Sequence, residues 1–154
     1  MKKYRLYLDN CCFNRPFDDQ KNLIVYFETQ SKLLVQEMIK NDNFELVWSF
    51  ILTAEKEANF DVLRRDKIAE WMKTAIVYIK FENDIEQKAF IFFNEANIKP
   101  KDAFHIASAI KAKCDFFLTT DKKLINKSSY FKEITIINPI EFIKKFVEDV
   151  YNEE

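Results

Sequence analysis

Residues 99–121, KPKDAFHIASAIKAKCDFFLTTD, contain a predicted helix that leads directly into a predicted strand. Pro100 favours the first turn of a helix, where a missing backbone N–H costs least. The helix carries small side chains that allow close packing on a sheet, namely Ala103, Ala107, Ser108, Ala109 and Ala112. The apolar run 115–119 predicts a buried strand. A helix followed by a buried strand is typical of a parallel α/β sheet.

The same alternation extends outward in both directions. Further strands are predicted at 4–8, 44–48, 77–81 and 134–137. Helices are predicted at 22–39, 49–59, 62–76, 84–96 and 139–150, with a helical turn at 121–125, while the polar segment 10–19 is predicted to be a loop. Ser49 and Asn83 are predicted helix caps, and 41–43 should end a helix without glycine. We therefore predict one α/β domain spanning residues 1–154, with helices on both faces of a small parallel sheet.

Composition excludes several classes of function. The chain has no glycine, so neither a dinucleotide-binding fingerprint nor a P-loop is present. One histidine and three cysteines disfavour a Cys/His metal site, and the cysteines are predicted to be free thiols. A Ser-His-Asp hydrolase is disfavoured for the same reasons. Any chemistry is therefore expected to depend on carboxylates.

Acidic residues follow the predicted strands at positions that suggest a common site. Asp9 and Asp121 each come after a strand, Asp102 lies in the first turn of the small-residue helix, and Glu55 lies on the helix after the second strand. Ligands of open parallel sheets bind at the carboxyl ends of the strands, so the four carboxylates are expected to share one cleft. Structural alternatives exist: Asp102 complements a helix N-terminus, Asp121 caps a helix, and Glu55 is a solvated charge beside Glu57.

Four motifs resemble the PIN-domain family, and in particular the VapC-type toxin ribonucleases. They are LDNC at 8–11, WS at 48–49 followed by Leu52 and Glu55, KPKDAFHIA at 99–107, and FLTTDK at 117–122. The family motif often has threonine at the position of Asn10. The resemblance implies a three-layer α/β/α fold with four to five parallel strands.

The resemblance also implies the site and the activity. Asp9, Glu55, Asp102 and Asp121 would be the acidic metal-site residues for Mg²⁺ or Mn²⁺, with Thr119 as a hydroxyl near the fourth acid. Whether Glu55 or Glu57 is the second acid is left open. The implied activity is endonucleolytic cleavage of single-stranded RNA, or of a structured RNA loop, by metal-activated water. A cognate antitoxin and a homodimer are implied as partners. The alternative is a non-catalytic PIN-like module that binds RNA or a protein.

Electrostatics bears on this interpretation in two ways. The formal charge of −1 disfavours a constitutive nucleic-acid binder, but two bound divalent ions would change it to +3. Like charges crowded into one cleft should also raise the pKa of at least one acid when no metal is bound. The candidate basic residues for binding the phosphates of an RNA backbone are Arg64, Arg65 and Lys67, or Lys99, Lys101, Lys122 and Lys123.

Other side chains have competing structural and functional interpretations. His105 is predicted to be a packed or helix-supporting residue, and Arg15 either meets a phosphate or is a surface arginine. Phe13 and Phe17 are the predicted base-stacking candidates, whereas Phe92, Phe93, Phe116 and Phe117 are predicted core residues. Apolar stretches such as 89–93 are too short to cross a membrane, and no apolar segment of a secretory signal is evident. A cytoplasmic protein is expected.

Overall fold

The computed structural model describes residues 3–153, with side chains described as far as residue 148, and has a five-stranded parallel sheet at its centre. The strands are β1 (Arg5–Leu8), β2 (Glu45–Ser49), β3 (Val77–Ile79), β4 (Phe116–Leu118) and β5 (Thr135–Ile137). Their order across the sheet is β3-β2-β1-β4-β5, and every neighbouring pair is parallel. The predicted parallel α/β architecture is therefore confirmed.

Helices flank the sheet and complete a three-layer α/β/α arrangement. They are α1 (Asn10–Asn14), α2 (Leu23–Lys40), α3 (Phe50–Glu57), α4 (Val62–Thr74), α5 (Asn83–Ala96), α6 (Pro100–Lys111), α7 (Lys122–Ile125) and α8 (Pro139–Glu153). Helix α2 packs on α8, and α5 packs on α6. Within residues 3–153, every helix is too short or too polar to cross a membrane.

The central strands are apolar on both faces because helices cover both faces of the sheet. Leu6, Tyr7 and Leu8 of β1 are fully buried, and β4 is buried along its whole length. Leu8 pairs with Leu118 in the register of the two strands. This register brings the residues that follow each strand, Asp9 and Thr119, to the same edge of the sheet.

The segment after β1 is more ordered than its polar composition predicts. Residues 10–19 were expected to form a loop, but α1 and a 3-10 turn at Arg15–Phe17 occupy most of the segment. Asp9 caps α1, and two residues of this helix, Cys12 and Phe13, are buried. Burial of these two apolar side chains favours helix here, and a composition-based prediction of a loop does not account for that tertiary contact.

Three helices end on a left-handed residue that is not glycine. Asp42 follows α2 with φ 63°, Asn97 is the C-cap of α5 with φ 54°, and Lys113 follows α6 with φ 58°. Asn and Asp tolerate this conformation better than other residues with a Cβ atom. The predicted glycine-free end of α2 is confirmed. At the start of α5, by contrast, Glu82 occupies the N-cap without a capping side-chain bond, so the predicted cap at Asn83 is wrong by one residue.

Candidate active site

A cavity of about 380 Å³ at the carboxyl edge of the sheet is lined by the four predicted acids. Asp9, Glu55, Asp102 and Asp121 share it with Asn10, Cys11, Asn14 and Asp18. The four carboxylates come from four separate parts of the chain: the end of β1, helix α3, the first turn of α6, and the start of α7. The fold therefore gathers all four side chains around one cleft.

Asp9 is the most tightly held of the four acids. It is 7% exposed, and its backbone N–H donates to the carbonyl of Leu118 on the neighbouring strand. Its Oδ1 accepts the backbone N–H of Asn10 at 2.8 Å, and its Oδ2 accepts the Thr119 hydroxyl at 2.8 Å. Thr119 Oγ1 also accepts the backbone N–H of Asp121 at 3.2 Å. Thr119 thus connects the first acid to the fourth.

Asp121 combines a structural role with a place in the cavity. Its Oδ1 caps α7 by accepting the backbone N–H groups of Lys123 and Leu124, at 2.9 and 3.3 Å. The capping role considered from the sequence is therefore observed. The same side chain lines the acidic cavity, so capping and a place in the site are compatible.

Glu55, not Glu57, is the glutamate in the cavity. Glu55 lies on the inner side of α3 and contacts His105 Nε2. Glu57 is 62% exposed and receives a hydrogen bond from Lys56 at 2.6 Å. Two residues apart on a helix, the side chains point in different directions, so only one of them can face the cleft.

His105 is buried and belongs to a chain of polar contacts that ends at Glu55. Its Nδ1 lies 2.6 Å from the Tyr7 hydroxyl, which in turn lies 2.5 Å from Ser49 Oγ. Ser49 caps α3 by accepting the backbone N–H of Leu52. The predicted packed role of His105 is confirmed, but the contact with Glu55 was not predicted. The signal available in the sequence was the spacing to Asp102, because residues three apart share one face of a helix.

Asp102 is half-buried, and its pKa is raised to about 6. The main cause is burial, and the negative charges of Asp9 and Asp121 add to it. His105 and Lys99 act in the opposite direction but do not compensate. The expectation that crowding raises the pKa of at least one acid is therefore confirmed, with burial as the larger contribution.

Several aromatic and basic candidates do not have the predicted environment. Arg15 donates hydrogen bonds to Asp18 and to the buried Glu28, both at 2.9 Å, so its charge is already paired within the protein. Phe13 is 1% exposed and cannot stack on a base, whereas Phe93 is 45% exposed rather than buried in the core. Phe17 is 39% exposed, with the Arg64 guanidinium 5.0 Å from its ring centre.

The carboxylate side chains that line the cavity offer ligand atoms that suit a hard divalent cation. Carboxylate oxygens are the ligands that Mg²⁺ and Mn²⁺ prefer. Within the described chain, no three His, Cys, Asp or Glu side chains are already gathered into a ready-made metal site. Two of the four acids are instead engaged by neighbours within the protein, Asp9 by the Thr119 hydroxyl and Glu55 by His105.

Fold and cleft together define an α/β protein with an acidic site at the carboxyl edge of a parallel sheet. Residues 6–129 match the family model described as PIN domain. The chain belongs to the PIN-domain family, whose members are generally nucleases. Among curated proteins, none matches the sequence.

Two solved structures share the fold. The crystal structure of VapBC2 from Rickettsia felis, bound to a DNA fragment from its promoter, has a TM-score of 0.56 with 14% sequence identity, over 87% of this chain and 98% of that chain. The crystal structure of FitAcB from Neisseria gonorrhoeae has a TM-score of 0.54 with 14% identity, over 87% of this chain and 97% of that chain. At this level of identity the likeness shows the fold alone.

Proposed function

We propose that this protein is a divalent-metal-dependent endoribonuclease that cleaves single-stranded RNA or a structured RNA loop. The observation that carries the proposal is the convergence of Asp9, Glu55, Asp102 and Asp121 on one cavity from four separate elements. Membership of a family of nucleases supports a phosphodiester substrate. The proposed cofactor is Mg²⁺ or Mn²⁺, because all four side chains offer carboxylate oxygens.

In this proposal the four acids hold the cation, and neighbouring residues hold the acids. Bound divalent ions would activate water and stabilise the leaving oxygen. Thr119 keeps Asp9 in place through its hydroxyl, and His105 keeps Glu55 directed into the site. Water adds to phosphorus as the bond to the 3′ oxygen breaks, so the products carry a 5′-phosphate and a 3′-hydroxyl. No side chain of the protein forms a covalent bond with the substrate.

The biological setting that we propose is a toxin–antitoxin pair. The sequence motifs resemble VapC-type toxins, and structures of VapBC2 and FitAcB share the fold. A cognate antitoxin and a second copy of this chain are the proposed protein partners. Co-expression with the product of the neighbouring gene, followed by size-exclusion chromatography, tests both partners.

The proposal is tested by incubating a long single-stranded RNA with the wild type, Asp9→Asn and Asp66→Asn, in Mn²⁺ or in EDTA. Asparagine retains the capping geometry of Asp9 but removes its negative charge, so we expect at least about a 100-fold loss of cleavage in Asp9→Asn. Asp66 is exposed on α4 and is the matched control, with unchanged cleavage expected. Cleavage in EDTA, or full activity of Asp9→Asn, would contradict the mechanism. RNA binding without cleavage in any metal would instead identify a non-catalytic module.

A further inference from the structure

A second cavity, of about 320 Å³, opens directly beside the acidic cleft and shares Asp102 and Asp121 with it. We call it the flanking pocket; its other walls include Phe93, Ile98, Lys99, Lys123 and Leu124. These residues come from the end of α5, the start of α6 and helix α7. Because the two cavities share two acids, a chain molecule bound at the acids has the flanking pocket as its immediate neighbour.

The floor and one wall of the flanking pocket are apolar. Ile98 and Leu124 are 2% and 3% exposed and form the floor, while Phe93 is 45% exposed and lines both this pocket and the neighbouring apolar groove between α5 and α6. A large aromatic ring that is exposed within a pocket is a suitable surface for stacking a nucleobase. Packing in the core does not account for Phe93, since nearly half of its surface faces solvent.

The rim of the flanking pocket carries two exposed lysines that form no close ion pair within the described chain, and Lys99 acts on Asp102 only at longer range. In the described part of the chain, neither Lys99 nor Lys123 has a carboxylate oxygen within 4 Å of its ammonium group, although Asp102 and Asp121 line the same pocket. Both lysines are exposed and available to an external anion. Lys127 differs, because its ammonium donates to the carbonyl of Asn97 at 2.6 Å.

The acidic cleft itself differs, because its described lining residues include no lysine or arginine. Asn14 and Asp18 line it, and the nearby Arg15 is already paired with Asp18 and Glu28. Arg64, on the same side, donates to Asn14 Oδ1 and to the carbonyl of Phe17 and is partly buried, whereas Lys99 and Lys123 are exposed. This asymmetry favours a path for the phosphate backbone across the starts of α6 and α7.

We infer that the flanking pocket binds the nucleotide next to the cleaved phosphate, with its base against Phe93 and its phosphate near Lys99 and Lys123. The inference rests on the proposed function, because it assumes a single-stranded RNA substrate. A volume of about 320 Å³ is at the small end of ligand pockets, which run from roughly 300 to 1,000 Å³, and suits one nucleotide. Stacking on an aromatic ring tolerates any base, so the pocket contributes affinity more than sequence preference.

The test measures binding separately from cleavage. A short fluorescein-labelled single-stranded RNA is titrated into Asp9→Asn protein in Mg²⁺, and fluorescence anisotropy gives the Kd without turnover. In the Asp9→Asn protein, the second substitution Phe93→Ala is expected to raise the Kd about 5- to 100-fold, which is the range for loss of one stacked base. In the same protein, the second substitution Lys123→Gln is expected to make the plot of log binding constant against log salt concentration less steep by about 0.7. This is the change for one lost phosphate contact on a single strand.

Matched controls separate this pocket from general surface effects. Phe90 lies on the same helix, is 65% exposed and does not line the flanking pocket, so Phe90→Ala should bind RNA as its parent does. Lys145 lies on α8, outside both cavities, and Lys145→Gln should leave the salt slope unchanged. Thermal melting of each variant checks that the fold is intact.

The outcomes distinguish the pocket from the proposed function. If Phe93→Ala and Lys123→Gln bind RNA like their controls while the wild type still cleaves RNA in Mn²⁺, the flanking pocket does not bind the substrate and the proposed function stands. If both variants lose binding but the wild type cleaves no RNA, the pocket stands as an RNA site and the nuclease proposal fails. If the parent protein binds no labelled RNA, the pocket is overturned.

Discussion

Asp102 is a half-buried acid that keeps its proton at unusually high pH. Its pKa is about 6 in the folded protein, against 3.8 ordinarily, so the folded state holds more protons than the unfolded state between these values. Stability without metal therefore falls as pH rises through this window. We expect Asp102→Asn to remove that decline and to melt roughly 2 to 4 °C above the wild type at pH 7 in EDTA. If plots of Tm against pH between 4.5 and 7 run parallel for the two proteins, this prediction is wrong.

Lys32 on α2 is a buried base with the opposite dependence on pH. It is 4% exposed, lies 5.6 Å from the centre of the Phe13 ring, and burial lowers its pKa to about 7. The folded protein loses this proton above about pH 7, whereas the unfolded chain keeps it to about 10.5, so the cost of burial is largest below pH 7 and declines as pH rises. We expect Lys32→Met to raise the Tm by roughly 5 °C at pH 6 and by less at pH 9.

The control for this prediction is Lys67→Met. Lys67 lines the same cavity as Lys32 but is exposed, so its replacement should change the Tm little at either pH. An equal rise in Tm from both substitutions would show that the rise comes from added apolar surface and not from removal of a buried charge.

At the scale of single elements, the absence of glycine leaves strain at helix ends. Lys113 adopts φ 58° after α6, a conformation that costs a residue with a Cβ atom about 1 kcal/mol or more. We expect Lys113→Gly to raise the free energy of unfolding by roughly 0.5 to 1 kcal/mol, measured by urea denaturation. The control is Gln87→Gly in the interior of α5, which should lower stability by about 1 kcal/mol. Destabilisation by both substitutions would refute the strain at Lys113.

The elements around the site are also joined by the buried polar chain from Ser49 to Glu55. It connects the cap of α3 to β1 through Tyr7, and β1 to α6 through His105. Buried polar groups of this kind are costly when a partner is lost, so they hold neighbouring elements in one arrangement. The position of Glu55 therefore depends on three elements and not on α3 alone.

At the scale of the whole molecule, cation binding should couple to stability. Four acids in one cavity repel each other, and a ligand that binds only the folded state stabilises it in proportion to its occupancy. At about 100 times the Kd of the cation, stabilisation is about 2.7 kcal/mol, or roughly 5 to 10 °C in Tm. We expect Mn²⁺ or Mg²⁺ to produce this shift in the wild type and a much smaller one in Asp9→Asn. Equal shifts in both proteins would place the bound cation outside the acidic cavity.

Much of the architecture could be predicted from local patterns in the sequence. The parallel strands, the glycine-free end of α2, and the start of α6 at Pro100 depend on apolar runs, capping residues and backbone preferences, which act over a few residues. The candidate acids could also be placed, because Asp9 and Asp121 follow strands and the carboxyl ends of parallel strands share one edge. Glu55 could be placed on the helix after the second strand, and the motif resemblance implied its role as an acid of the site.

Properties that depend on contacts between distant segments were decided only by tertiary structure. Local spacing could not choose Glu55 over Glu57, since the choice depends on which side of α3 faces His105. Nor could it predict that Phe13 is buried while Phe93 is exposed, or that residues 10–14 form a helix. Burial depends on which elements pack together, and that arrangement is a property of the whole folded chain rather than of any short stretch of it.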